Sequence, residues 1–238
     1  MKTTILFDLD GTLLPMDQEF FMKAYFDALA KKCVSLSLDA QAMTGAIWAA
    51  TKAMMKNDGS MTNETRCWNV LGGIMGDAIA GKKELLTSFY EHEFCKIGDF
   101  VTPDPRAKQC VTRLKEKGYT LVLATTPLFP QVATLERIRW AGLSPDDFSL
   151  ISTHEDFSFT KPNPEYYREV LKKCNKQPDE CLLVGNDTVE DMAAAKAGIS
   201  LFFLTEHLIN QNNTDLSAFA HGDFDALCAF VESLPDVN

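Results

Sequence analysis

Two aspartates two positions apart, Asp8 and Asp10, follow an apolar β-forming run in Ile5-Leu6-Phe7-Asp8-Leu9-Asp10-Gly11-Thr12. If the strand runs through them, its alternation puts both carboxylates on one face with Leu9 between. Two like charges that close repel unless a cation or a proton intervenes, so the pair points to a bound metal or to acid/base chemistry. An Asp-rich turn closing a strand is the plainer reading of these four residues taken alone. Three later segments also put reactive groups where strands should end. Val122-Leu123-Ala124-Thr125-Thr126-Pro127 carries a hydroxyl, Thr125, to a strand tip. Thr160-Lys161-Pro162-Asn163-Pro164 holds a lysine in a proline-stiffened loop. Leu182-Leu183-Val184-Gly185-Asn186-Asp187-Thr188-Val189-Glu190-Asp191 runs from a strand into an acidic turn and a helix start, where acids could also merely cap the helix.

The elements needed to position these groups are legible in the pattern. From about Glu19 to Ile97 no convincing strand occurs. Amphipathic helices are expected over Glu19–Val34, Asp39–Lys56, Asn63–Ala80 and Lys82–Cys95, with Asp39, Thr62 or Asn63 as caps and Asn57-Asp58-Gly59-Ser60 as a breaker. From Asp99 onward helices and strands alternate. Helices are expected over 105–117, Gln131–Ala141, Pro164–Asn175, Glu190–Ala197 and Asp223–Leu234; strands over Tyr119–Thr125, Phe148–Thr153, Cys181–Gly185 and Ser200–Leu204. Helices of about ten residues between strands imply right-handed crossovers and a parallel sheet. The fold class is therefore α/β, a doubly wound parallel sheet built from residues 1–16 and 98–238, carrying a helical domain over 17–97.

Among 238 residues, 46% are hydrophobic and 24% charged, as in ordinary globular enzymes, and the net charge of −10 disfavours a nucleic-acid partner. The start lacks a basic, apolar leader and no stretch reaches membrane-spanning length, so a cytoplasmic protein without a membrane partner is expected. Seven cysteines without a C-x-x-C pair indicate neither a disulfide framework nor a zinc site.

In this order, Asp8-Leu9-Asp10-Gly11-Thr12, Thr125, Lys161-Pro162 and Asp187-Thr188-Val189-Glu190-Asp191 resemble the four motifs of the haloacid dehalogenase-like superfamily. The resemblance implies a Rossmann-like core with an α-helical cap and a Mg²⁺-dependent phosphatase acting on a small phosphorylated metabolite. It further implies that Asp8 is the nucleophile that becomes an aspartyl-phosphate and Asp10 the acid/base. Thr125 and Lys161 would be phosphoryl donors, and Asp191 would orient Lys161 or a metal-bound water. Mg²⁺ would be bound by Asp8, Asp10 through its carbonyl, and Asp187. The chain departs from the family pattern at Asn186, which takes the ligand position if the motif is aligned without a gap; Asp187 takes it if one residue is inserted. A phosphomutase is the alternative. Dehalogenation is disfavoured by Asp10, and a non-catalytic binding protein leaves the five reactive residues unexplained. A cap of this kind should read the leaving group. Lys23, Lys52, Lys56, Arg66 and Trp68 could face it, although solvated lysines and core-filling Trp48 and Trp68 are the ordinary outcome. The chain could be a monomer or a homodimer.

Overall fold

The structure is a computed structural model that describes residues 1–237; residue 238, the last of the expected core, lies outside them. Six parallel strands form the sheet: β1 (Thr4–Phe7), β2 (Thr120–Leu123), β3 (Leu150–Ile151), β4 (Cys181–Gly185), β5 (Ser200–Leu204) and β6 (Ala220–Gly222). Their order across the sheet is β3-β2-β1-β4-β5-β6. Sequence order reverses at β1, so its carboxyl end opens onto the crevice where such sheets hold their sites.

Strand alternation divides the core between the two faces. Ile5, Phe7, Leu121, Leu123, Leu182 and Val184 pack on one side, beneath α5 (Pro105–Glu116), α6 (Gln131–Trp140) and α9 (Phe224–Ser233). Leu6, Val122, Leu183, Leu201 and Phe203 pack on the other, against α7 (Pro164–Cys174) and α8 (Met192–Lys196). Burial on both faces explains why these strands read as unbroken apolar runs.

Between β1 and β2 lie α1 (Gln18–Ser35), α2 (Ala40–Met55), α3 (Asn63–Met75) and α4 (Lys83–His92), followed by 3-10 turns and then α5. Asp17, Asp39 and Thr62 accept backbone N–H bonds at the amino ends of α1, α2 and α3. Phe21 and Phe94 join these helices to the core through Phe129 and Trp140, with the Phe94 and Trp140 rings stacked 5.0 Å apart. A Cβ at Gly98 would run into the Trp140 indole, so this approach requires glycine. A polar tie adds to it. The Asn63 and Glu64 N–H groups donate to the Phe157 and His154 carbonyls at 2.8 Å, while Asn63 Nδ2 donates to the Pro127 and Phe159 carbonyls at 3.3 Å.

Several expectations need correction. The first strand ends at Phe7, so Asp8 and Asp10 lie in a turn beyond it and share a pocket for a reason other than strand alternation. The expected strand over 148–153 keeps only Leu150 and Ile151. The third helix stops at Met75, because Gly76 adopts a φ of +53° and starts a 3-10 turn. The expected helix over 82–95 ends at His92 and gives way to a 3-10 stretch, and the one over 190–197 shortens to 192–196. β6 was not expected at all; three short residues, Ala-His-Gly, carry no strand signature. Trp48 does not fill a core, being 53% exposed.

Candidate active site

Every reactive group singled out above comes from the carboxyl end of β1, β2 or β4, or from the loop after β3. Asp8 leaves β1 with its N–H still donating to the Val184 carbonyl at 2.9 Å, which ties the β1 exit to β4. The chain then turns sharply: Gly11 has a φ of +81°, and its N–H donates to the Leu14 carbonyl at 2.8 Å. This turn swings Asp10 back beside Asp8. A Cβ at Gly11 would collide with the Asn186 side chain, so the glycine also lets the first and last motifs approach. Thr12 Oγ1 stands 3.2 Å from both Asp8 Oδ2 and Asn186 Oδ1.

Thr125 is held through its backbone, its carbonyl accepting from the Ser152 hydroxyl at 2.6 Å and the Tyr166 hydroxyl at 2.8 Å. Thr126 donates to Glu190 Oε2 at 2.7 Å. Lys161, completely buried, donates to Asp8 Oδ1 and Asp191 Oδ1, each at 2.7 Å. Tyr167 adds a hydroxyl to Asp191 Oδ1 at 3.1 Å, and the Asp187 N–H donates to Asp191 Oδ2 at 3.0 Å. Asp191 is thus spent on positioning Lys161 and the acidic turn. Asp187 Oδ1 accepts the N–H groups of Val189 and Glu190 at 2.7 and 3.0 Å, which leaves its second oxygen uncommitted. Asn186 Nδ2 donates to the His207 carbonyl at 2.8 Å, so its amide oxygen is the atom that faces the Thr12 hydroxyl.

Asp8, Asp10, Thr125, Asp187 and Asp191 line one recess of about 160 Å³, together with Asn186, Glu190 and Arg137. Lys161 lies against it through Asp8 and Asp191. Burial pushes the Asp8 carboxyl up to about 7, with Lys161 pulling the other way. Burial also opposes the Lys161 charge, but Asp191 and Asp8 outweigh it and hold the ammonium well above its ordinary value. Glu190 is raised, mainly by burial.

Arg137 was not among the residues the motifs pointed to. It is buried inside α6, pairs with Asp10 Oδ2, and lies 4.7 Å from the Phe129 ring centroid. Its signal was faint but present: it shares the inward stripe of its helix with Ala133, Thr134, Ile138 and Ala141, where a lone arginine needs a partner.

Among the described residues, no three His, Cys, Asp or Glu side chains form a metal cluster on their own. The recess nevertheless collects five carboxyl groups, from Asp8, Asp10, Asp187, Glu190 and Asp191, beside two cations, Lys161 and Arg137. Asp10 Oδ1 is buried without a partner. An oxygen-only donor set with surplus negative charge fits a hard divalent cation.

The chain matches the haloacid dehalogenase-like hydrolases over residues 2–198. It is 26% identical over 196 residues to the pyrophosphatase PpaX of Oceanobacillus iheyensis, covering 82% of this chain and 80% of that protein. It is 29% identical to the phosphoglycolate phosphatase of Vibrio vulnificus over 126 residues, 53% of each chain. A 2-haloacid dehalogenase from Pseudomonas syringae shares the fold with a TM-score of 0.63 at 20% identity, covering 98% of this chain and 99% of that one. A phosphatase from Thermococcus onnurineus does so with a TM-score of 0.60 at 18% identity over the whole of both chains. With its family matched from the first strand to the helix after the acidic turn, this chain belongs to the haloacid dehalogenase-like hydrolases.

Proposed function

We propose that this protein is a Mg²⁺-dependent phosphatase that hydrolyses a phosphomonoester through an aspartyl-phosphate. The observation that carries the reading is Asp8: a carboxylate at the floor of the recess, with one oxygen fixed by Lys161 at 2.7 Å and Asp10 beside it as a second acid. Asp8 attacks phosphorus and the bond to the leaving oxygen breaks as Asp10 delivers a proton to it. Asp10 then takes a proton from water as its oxygen attacks phosphorus; the bond from phosphorus to the Asp8 oxygen breaks, releasing inorganic phosphate and regenerating Asp8. Lys161 and the Thr125 hydroxyl stabilise the charge on the transferring oxygens, and Asp191 holds Lys161 in line. Asp8, the Asp10 carbonyl and the free oxygen of Asp187 would hold Mg²⁺, which supplies charge neutralisation for two anions brought together. The relatives named pyrophosphatase and phosphoglycolate phosphatase support phosphoryl chemistry. Asp10 argues against the dehalogenase alternative, which needs no acid at that position.

The test is release of inorganic phosphate by the purified chain from acetyl phosphate, an activated donor, and from methyl phosphate, a true monoester, with and without Mg²⁺. Metal-dependent turnover is expected, and Asp187→Ala should raise the half-saturating Mg²⁺ concentration more than Asn186→Ala does. Metal-independent turnover, or none at all, would defeat the reading. The opposite ranking of the two variants would move the ligand position to Asn186.

A further inference from the structure

Beside the catalytic recess lies a second, larger cavity of about 480 Å³, lined by the inserted helices and by the core loops at Leu128–Pro130 and His154–Glu155. The two share Gln18, Leu128, Phe129 and Glu190 as common walls, so whatever fills the larger space reaches the point where a leaving group would depart. Its size falls within the range of small-molecule sites. Apolar side chains dominate the lining, aromatic rings such as Tyr25, Phe26, Trp48 and Trp68 alternating with Leu, Ile and Met side chains such as Leu71 and Met43. The Tyr25 and Tyr90 hydroxyls pair at 3.0 Å, one donating to the other, which leaves one O–H to meet the hydroxyl oxygen of an alcohol.

Its charge pattern separates possible occupants. No lining residue is Lys or Arg, whereas Glu64, Glu155 and Glu190 are all present. Of the candidates Lys23, Lys52, Lys56, Arg66 and Trp68, only Trp68 lines the space. Lys83, the ammonium nearest Trp68, is already paired with Glu64 at 2.8 Å. With Lys83 and Glu64 neutralising one another, a leaving group that carries its own carboxylate or phosphate would meet Glu155 and Glu190 and no free cation on the cavity wall. One polar atom stands out: Nδ1 of His154, a residue 5% exposed, has no partner among the described residues.

We propose that this cavity holds the alcohol half of a phosphomonoester whose leaving group is bulky, uncharged and apolar, an aryl or long-chain alcohol. The proposal rests on the phosphatase reading above and names its substrate class. It also sets this chain apart from relatives whose names point to small anionic substrates. Removing apolar surface from water supplies the binding, and the shared wall at Leu128 and Phe129 aligns the ester oxygen with Asp10.

The experiment compares kcat/KM for acetyl phosphate, 2-phosphoglycolate, 1-naphthyl phosphate and n-octyl phosphate in the presence of Mg²⁺. At least one apolar ester should exceed 2-phosphoglycolate by about 10- to 100-fold, chiefly through KM. Preference for the naphthyl over the octyl ester would specify an aryl leaving group, and the reverse an alkyl one. Leu71→Arg, which puts a cation into the cavity wall, should lower the ratio of apolar ester to acetyl phosphate and raise that of 2-phosphoglycolate. If acetyl phosphate is turned over and 2-phosphoglycolate beats both apolar esters, the cavity assignment falls while the phosphatase reading stands. Should no ester be hydrolysed, the phosphatase reading fails, and calorimetric titration with 1-octanol and 1-naphthol tests the cavity by itself: saturable binding of either that Leu71→Arg abolishes supports an apolar alcohol as its occupant, and binding of neither overturns it.

Discussion

Asp8 is nearly fully buried and has an ammonium fixed on one oxygen, and in the proposed mechanism this poorly solvated carboxylate is the nucleophile. Asp8→Asn keeps the shape but cannot form the acyl phosphate, so turnover of acetyl phosphate should fall by at least about 10³-fold with the thermal melt little changed. Retained turnover would remove the mechanism. Arg137 gives a less obvious expectation. It steadies Asp10 from beneath, so Arg137→Met should lower kcat by about 10- to 100-fold through misplacement of the acid. KM should stay close to wild type, and Arg137→Lys should recover part of the loss. A KM effect without a kcat effect would make Arg137 a structural residue only. Five residues that line the recess, Asp8, Asp10, Thr125, Asp187 and Asp191, and Lys161 against it, could be singled out in the sequence because each follows the carboxyl end of an apolar strand run, where local pattern and chemistry coincide. Arg137 was not, since its partner lies 127 positions away and only the fold joins them.

At the scale of elements, the turn after β1 couples the first motif to the last. A methyl group at Gly11 would impose a side chain on a left-handed φ of +81° and collide with Asn186. Gly11→Ala is expected to cost about 1–3 kcal/mol. For a chain of this size that lowers the melting temperature by about 2–4 °C per kcal/mol, measurable by calorimetry. An unchanged melt would mean that the turn relaxes freely. The long helices and buried strands were readable from periodicity because tertiary packing agrees with local preference. Pieces of two or three residues were not. β3 and β6 exist by pairing to a neighbouring strand, and the 3-10 stretch from Phe94 to Phe100 follows from packing Phe94 on Trp140.

Over the whole molecule, the parallel sheet supplies a rigid floor and the inserted helices an apolar chamber above it. No helix among the described residues is long and apolar enough to cross a membrane. The chamber is partly open beside Trp48, and a parting of the inserted helices from the core would widen the way for each ester that enters and each alcohol that leaves. The tie at the start of α3 marks where such an opening would be felt. The amide protons of Asn63 and Glu64 are held by core carbonyls, so solvent deuterium can replace them only when the two bodies part. They form a built-in gauge of the opening free energy. Hydrogen exchange should show both amides exchanging together, faster than the sheet amides of Asp8 and Ala124, and slower once the chamber is filled. If they exchange only along with the sheet, in global unfolding, the helices are a fixed wall and substrate must enter past the half-exposed indole of Trp48.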